Sequence, residues 1–290
     1  MKKIVKSIIV SASLMMMPIL SIKAIEVPKD LPEWDVRPQE GIVEGNYYSV
    51  EETFRQGHLG KLEVITNEAN EIIKVEFNES TRPNYYNRFY QNVPKRMSEY
   101  NMDMFAKKGS AWVESVLMVE KQMVEEQRLT GEFDVVSGAS NSVNQSMLIL
   151  SEKINLEEES PKYFYSISED LGGGLTGYLK VVTENDKIIS VSYDEIFANN
   201  PDEIEDETLK QYYRQSKYQS VTYDEPSRIG FNIQMDALNE KVVETQDLLD
   251  IEGLPSTGET GDYATSGFTT RNPSWDNYLK LANKLLGTMK

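Results

Sequence analysis

Gly60–Glu79 reads GKLEVITNEANEIIKVEFNE, and Gly177–Glu195 reads GYLKVVTENDKIISVSYDE. Each consists of two stretches of alternating apolar residues around a short polar turn, the pattern of a β-hairpin with one buried face. Leu62 and Val64 match Leu179 and Val181, while Ile72, Ile73 and Val75 match Ile188, Ile189 and Val191. An aromatic strand precedes each hairpin, with Tyr47 and Tyr48 in the first copy and Tyr163, Phe164 and Tyr165 in the second. A glycine-bearing turn joins strand to hairpin both times. A pattern used twice in the same order marks a duplicated unit.

Each hairpin is followed by an amphipathic stripe. Trp112, Val116, Val119 and Met123 fall at i, i+4, i+7 and i+11, and Phe231, Met235, Leu238 and Val242 repeat that spacing 119 residues later. The spacing predicts a helix with one buried face in each copy. A closing helix follows, its stripe formed by Val143, Met147, Leu150 and Ile154 in copy one and by Trp275, Leu279, Ala282 and Leu286 in copy two. The order per copy is strand, hairpin, helix, a Ser/Gly/Thr-rich loop, closing helix. It predicts an α+β fold, with each copy an antiparallel sheet and helices packed on one side of it. A charge run and a proline, NLEEESP at 155–161, mark the boundary. The expected organisation is a signal peptide over 1–24, an extended lead-in over 25–40, domain one over 41–154, a linker over 155–162 and domain two over 163–290.

The 290 residues are 39% hydrophobic and 27% charged, enough apolar material for two cores. Lys2, Lys3 and Lys6 precede an acid-free apolar run from Ser7 to Ile22, broken by Pro18 and followed by the small residue Ala24. This is the layout of a secretory signal peptide, and the run falls short of the ~20 residues of a membrane span. The expectation is a secreted or cell-surface, extracytoplasmic protein, with an uncleaved N-terminal membrane anchor as the alternative. Net charge is −17, and loss of the leader's four lysines (Lys2, Lys3, Lys6, Lys23) takes it to −21. Such a surface repels nucleic acid and anionic lipid headgroups. The absence of cysteine excludes thiolate metal sites, iron–sulfur clusters, c-type haem attachment and lipidation of a cysteine after the leader. With His58 as the single histidine, a zinc site and a Ser/His triad are disfavoured. Redox chemistry, if the chain performs it, must come from an organic cofactor.

The loop before each closing helix carries the chemical signal. Copy one reads DVVSGASNS from Asp134 to Ser142, and copy two reads DYATSGFTT from Asp262 to Thr270. Small residues let the backbone approach a ligand, and glycine permits unusual dihedrals. Hydroxyls offer donors, and the N-terminus of the following helix turns unpaired N–H groups to the same spot. The combination suits a phosphate; the plainer reading of either loop alone is a turn and a helix cap.

DVVSGASNS resembles the motif of the FMN-binding domain family, D-x-x-S-G-A-T-x-S/T. The tandem layout is most similar to doubly flavinylated extracellular electron-transfer proteins of Gram-positive bacteria, and the resemblance runs from about Gly41 to Leu286. It implies two tandem FMN-binding-type domains and two FMN groups, each joined covalently through its phosphate to a motif hydroxyl by an ApbE-type flavin transferase. Carried over position by position, the attachment points are Ser140 and Thr269. The surrounding cofactor-binding residues are Asp134, Ser137, Gly138, Ala139 and Ser142 in copy one, and Asp262, Ser266, Gly267 and Thr270 in copy two. There are departures: serine stands at 140 where the family has threonine, Phe268 replaces the alanine, and Asp262 lies one residue further from its Ser-Gly pair than Asp134 does. The closing helix of copy two, expected to start at Asn272 and Pro273, also begins later than its counterpart. The implied function is electron transfer without a substrate turnover of its own. The implied donor is a membrane quinol or NADH dehydrogenase system, and the implied acceptor lies outside the cell, such as ferric iron.

Other features read more plainly. Leu254–Gly258, LPSTG, matches a sortase motif but lacks a following apolar span and is expected to be a surface loop. His58 is expected to sit exposed in its turn, with an approach to the flavin ring as the alternative. The cluster Tyr85, Tyr86, Phe89 and Tyr90, and its counterpart Tyr212, Tyr213 and Tyr218, are expected to pack in cores rather than stack on the flavin. The acidic run Asp202–Glu207 reads as a solvated helix start. Two rival functions remain: a cell-envelope interaction protein on a degenerate FMN-binding fold without cofactor, and an FMN-dependent reductase of a small molecule.

Overall fold

The computed structural model describes residues 35–54, 57–86, 88–101, 112–134, 140–223, 230–255 and 273–289. Two three-stranded meanders build it. The first is β1 (Gly41–Phe54), β2 (His58–Thr66) and β3 (Ile72–Ser80); the second is β4 (Lys162–Gly172), β5 (Leu175–Glu184) and β6 (Lys187–Phe197). All six strands form one antiparallel sheet in the order β3-β2-β1-β4-β5-β6. The predicted hairpins form with matched registers: Leu62 faces Phe77 and Val64 faces Val75, while Leu179 faces Tyr193 and Val181 faces Val191. The copies are joined at their first strands, which pair from Gly41 opposite Ser168 to Asn46 opposite Tyr163. One sheet therefore serves both halves. Gly45 sits beside this seam because a Cβ there would lie 2.1 Å from the carbonyl oxygen of Thr66.

Four helices cover the outer face of the sheet. In half one these are α1 (Trp112–Glu125) and α2, which runs through Ser140–Ser142, a π-helical turn at Val143–Met147, and Leu148–Ser151. In half two they are α3 (Phe231–Thr245) and α4 (Pro273–Leu286). Trp112, Val116, Val119 and Met123 meet Leu62, Val64, Val75 and Phe77 in one core; Phe231, Met235, Leu238 and Val242 meet Leu179, Val181, Val191 and Tyr193 in the other. Each such side chain contributes about 1.5–3 kcal/mol on burial.

The two long helices are docked by the same device. Gln127 and Gln246, left-handed at φ 54° and 59°, end them. Gln127 accepts the Ile72 N–H at 2.8 Å and donates to the Ile72 carbonyl at 2.9 Å; Gln246 does the same to Ile188 at 2.8 and 3.0 Å. Edge strands β3 and β6 thus have main-chain groups satisfied by a helix terminus.

The inner face is concave. It curls until Lys74 on β3 hydrogen-bonds the Tyr178 hydroxyl on β5, and Lys180 on β5 lies 3.5 Å from Glu76 on β3. The ring is completed by two short segments. Lys95 N–H donates to Glu79 O and Lys217 N–H to Glu195 O, while Ser216 N–H donates to Met97 O, each at 2.9 Å.

Two expectations are corrected. The buried face of α4 is Trp275, Tyr278, Leu281, Ala282 and Leu285, each 0% exposed, whereas Leu286 is 39% exposed. The helix is turned so that the Tyr278 ring enters the core, its hydroxyl donating to Leu248 O at 2.7 Å. LPSTG does not begin as a surface loop: Leu254 belongs to the second core, and Pro255 O accepts the buried Trp275 indole N–H at 3.0 Å. Its remaining residues, 256–258, lie outside the described ones. The stretch read as a leader and most of the expected lead-in, 1–34, do so too. Asp202 and Glu203 stand in a short 3₁₀ turn capped by Asn200, in keeping with the solvated helix start read for that run.

Candidate functional site

Val75, Phe77 and Glu79 share one face of β3, so the alternation of the strand carries a carboxylate to the helix-covered side. Glu79 is fully buried, and a buried carboxylate needs partners. Lys95, also buried, ion-pairs with it. Ser142 and Ser146, one turn apart on α2, donate to its two oxygens at 3.2 and 3.1 Å. His58 Nδ1 lies 3.5 Å from the same carboxylate. The π-helical turn of α2 starts directly after Ser142 and contains Ser146, a distortion that recurs at functional sites. Lys95 Nζ is 5.2 Å from the ring centroid of Tyr100 and 5.5 Å from that of Trp112, so two aromatic faces wall the ammonium. Trp112 Nε1 is buried with no hydrogen-bond partner among the described residues.

Half two repeats the arrangement at equivalent positions. Glu195, 1% exposed, takes Lys217 at 2.5 Å, Asn277 of α4 at 3.1 Å and the Tyr193 hydroxyl at 2.8 Å. Lys217 Nζ stands 5.6 Å from the Tyr223 ring and 5.9 Å from the Phe231 ring. Burial pushes the Glu195 carboxyl up, but Lys217, Asn277 and Tyr193 outweigh it and hold it below its ordinary value. Burial and then Glu195 push the Tyr193 phenol well above its own.

Of the loop residues read as ligand-binding, Ser140 begins α2 and Ser142 enters the Glu79 cluster. Asp134 is exposed and tied through its backbone to Gln122 of α1 at 2.9 Å in both directions. Ser137, Gly138, Ala139, Asp262, Ser266, Gly267, Thr269 and Thr270 lie outside the described residues.

His58 is not the exposed turn residue expected: it opens β2 with its side chain 15% exposed, between Glu79 and the edge of Tyr85. The tyrosines of half one are not core either. Tyr86 is 78% and Phe89 41% exposed, and Tyr85 links Tyr86, at 4.4 Å between centroids, to the buried Tyr100, at 6.0 Å. Tyr212 of half two does pack, against Phe197 and Tyr223. A ladder of rings therefore leads from the Lys95 cluster to the surface in half one.

No family model, curated protein or solved structure matches the chain significantly. The site rests on its own geometry. Glu79, Lys95, Glu195, Lys217 and Asn277 are not reached by motif reading. Their one signal is the acid at a core-facing position of each hairpin, two residues after Phe77 and Tyr193.

Proposed function

We propose that the chain is an exported electron-transfer flavoprotein of two tandem FMN-binding-type domains, with FMN attached through phosphoester bonds to Ser140 and Thr269. One observation carries this proposal. A buried Glu–Lys pair, walled by two rings and bonded to the closing helix, occurs in both halves, and in both a Ser/Gly/Thr-rich stretch of sequence precedes that helix.

The residues present fit such a group. Glu79 neutralises Lys95, so the pair fixes α2 in place more than it attracts an anion. Compensation of a phosphate falls to the loop hydroxyls and the first N–H groups of α2. The Trp112 indole N–H supplies a buried donor without an acceptor among the described residues, and the half-buried ring of Tyr85 and the exposed ring of Tyr86 supply flat apolar surface. The flavin would supply one- and two-electron redox chemistry, the protein its binding and orientation. Covalent attachment suits a protein outside the cell, where a freely dissociating cofactor is lost by mass action. An ApbE-type flavin transferase would install the cofactor. A membrane quinol or NADH dehydrogenase system would donate electrons, and an external acceptor such as ferric iron would take them.

The test is intact mass after co-expression with an ApbE-type transferase. Wild type is expected to carry two flavins and to give a fluorescent band in denaturing gels; Ser140→Ala and Thr269→Ala should each lose one flavin's mass. A colourless wild-type protein of unmodified mass supports the rival, a cell-envelope interaction protein without cofactor. That rival draws on half two, where Leu175 stands in the place of His58.

A further inference from the structure

A cavity of about 190 Å³ lies at the seam between the halves, with neither Glu79 nor Glu195 in its lining. The lead-in closes it: Val36 is 3% exposed, and Arg37, held bidentately by Asp35, reaches Glu203 of half two at 3.5 Å. Three buried donors on its wall have nothing to donate to among the described residues. Ser168 is 2% exposed and its hydroxyl has no partner; Arg96 is 7% exposed and its Nε has none. The Tyr178 hydroxyl accepts from Lys74, and no described group accepts its own proton.

Buried donors without acceptors cost free energy unless something acceptor-rich occupies the space beside them. The wall carries three cations, Arg37, Lys74 and Arg96, against the carboxylates of Asp35 and Glu76. Ion pairs hold these cations in place, Lys74 to Glu76 at 3.0 Å and Arg96 to Glu120 at 2.7 Å. Val36, Val43, Met97 and Leu117 add an apolar part to the lining. The volume equals about six waters.

We propose that this cavity binds a small monocarboxylate with a short apolar tail. Its carboxylate accepts from Ser168, Arg96 and Tyr178, and its tail lies on the valines, Met97 and Leu117. Because β1 and β3 of half one and β4 and β5 of half two all contribute, an occupied cavity joins the two copies. The site needs no flavin and stands apart from the function proposed above.

Isothermal titration of the full chain with hexanoate and benzoate tests it, with hexanol and benzamide as shape-matched neutral probes. Both acids are expected to bind saturably at one site, and the neutral probes about tenfold more weakly. Ser168→Ala should weaken the acids about fivefold to tenfold, since it removes one hydrogen bond to a charged group without breaking any described contact. Ser168→Leu should fill the space, abolish binding and leave the circular dichroism spectrum unchanged. Tyr178→Phe is an independent check and should weaken the acids by a similar factor. Absence of saturable acid binding to wild type means the donors are met by water alone and overturns the proposal. Equal affinity for acids and neutral probes, or unchanged affinity in Ser168→Leu, overturns it as well.

Discussion

In half one, Glu79 is held by a lysine and two serines, with His58 Nδ1 3.5 Å away; in half two, Glu195 is held by a lysine, an asparagine and a tyrosine. The phenol of Tyr193 stands where half one has Phe77, and Leu175 stands where it has His58. Only the ammonium–carboxylate pair is common to both. The pair is therefore the fixed requirement of the architecture, and the surrounding donors are interchangeable as long as every carboxylate lone pair is met. A second exchange sits beside it. Asn78 Oδ1 accepts the N–H of Glu79 at 2.9 Å and of Arg96 at 3.1 Å, and Asp194 Oδ1 accepts those of Glu195 at 2.8 Å and Tyr218 at 3.0 Å. The same two bonds are made by an amide in one half and by a carboxyl in the other.

Breaking the shared pair should give the largest effect. Lys95→Met and Lys217→Met each leave a buried carboxylate uncompensated, a loss of about 3–5 kcal/mol in urea unfolding. Adding Glu79→Gln or Glu195→Gln should recover a large part of it. A cost under about 1 kcal/mol for either lysine would show that the pair does not hold its half together.

The amide–carboxyl exchange should give half two a pH sensitivity that half one lacks at the matching position. Burial pushes the Asp194 carboxyl up to about 7. Its folded value is thus above its unfolded value of about 4, so the folded state binds the extra proton. That contribution is fully present below pH ~4 and is lost as pH rises through ~7, on the order of 3–4 kcal/mol in all. Asp194→Asn should flatten the dependence and stabilise the protein at pH 8. Asn78→Asp should introduce a similar loss in half one. Parallel wild-type and Asp194→Asn melting curves from pH 4.5 to 8 would refute this origin.

The strands and long helices were legible because their cores are written locally, in alternation at Leu62 to Phe77 and in the 119-residue echo of Trp112 to Met123. The sharing of one sheet was not. Pairing of Gly41–Asn46 with Tyr163–Ser168 joins segments over a hundred residues apart, and no local pattern encodes it. The face of α4 is ambiguous in the sequence because Leu279 and Leu286 fit a stripe as well as Tyr278 and Leu285 do; the Leu248 carbonyl, which takes the Tyr278 hydroxyl, and the rings of Tyr193 and Trp275 favour the second. Glu79 and Lys95 are not legible in the sequence because an acid and a base sixteen residues apart carry no motif. They become a site only when β3 and the segment after it close on α2.

The smallest effect expected concerns the two glutamine clamps, where the halves agree in every bond. Gln127 and Gln246 each exchange two hydrogen bonds with an edge strand, and Gln127 Nε2 and Gln246 Nε2 also reach the carbonyls of Val124 and Val243 at 2.7 and 2.6 Å. Replacement by alanine removes these bonds and leaves a Cβ residue in the left-handed region. Replacement by glycine removes the same bonds and relieves the backbone. Gln→Ala should therefore cost about 1–2 kcal/mol in either half, and Gln→Gly less by up to ~1 kcal/mol. The two positions should agree within about 0.5 kcal/mol. Hydrogen exchange locates the loss: Ile72 N–H should exchange faster in Gln127→Gly and Ile188 N–H in Gln246→Gly, each without change at the other. Faster exchange at both amides in either single variant would mean that the shared sheet, and not each half, is the unit that opens.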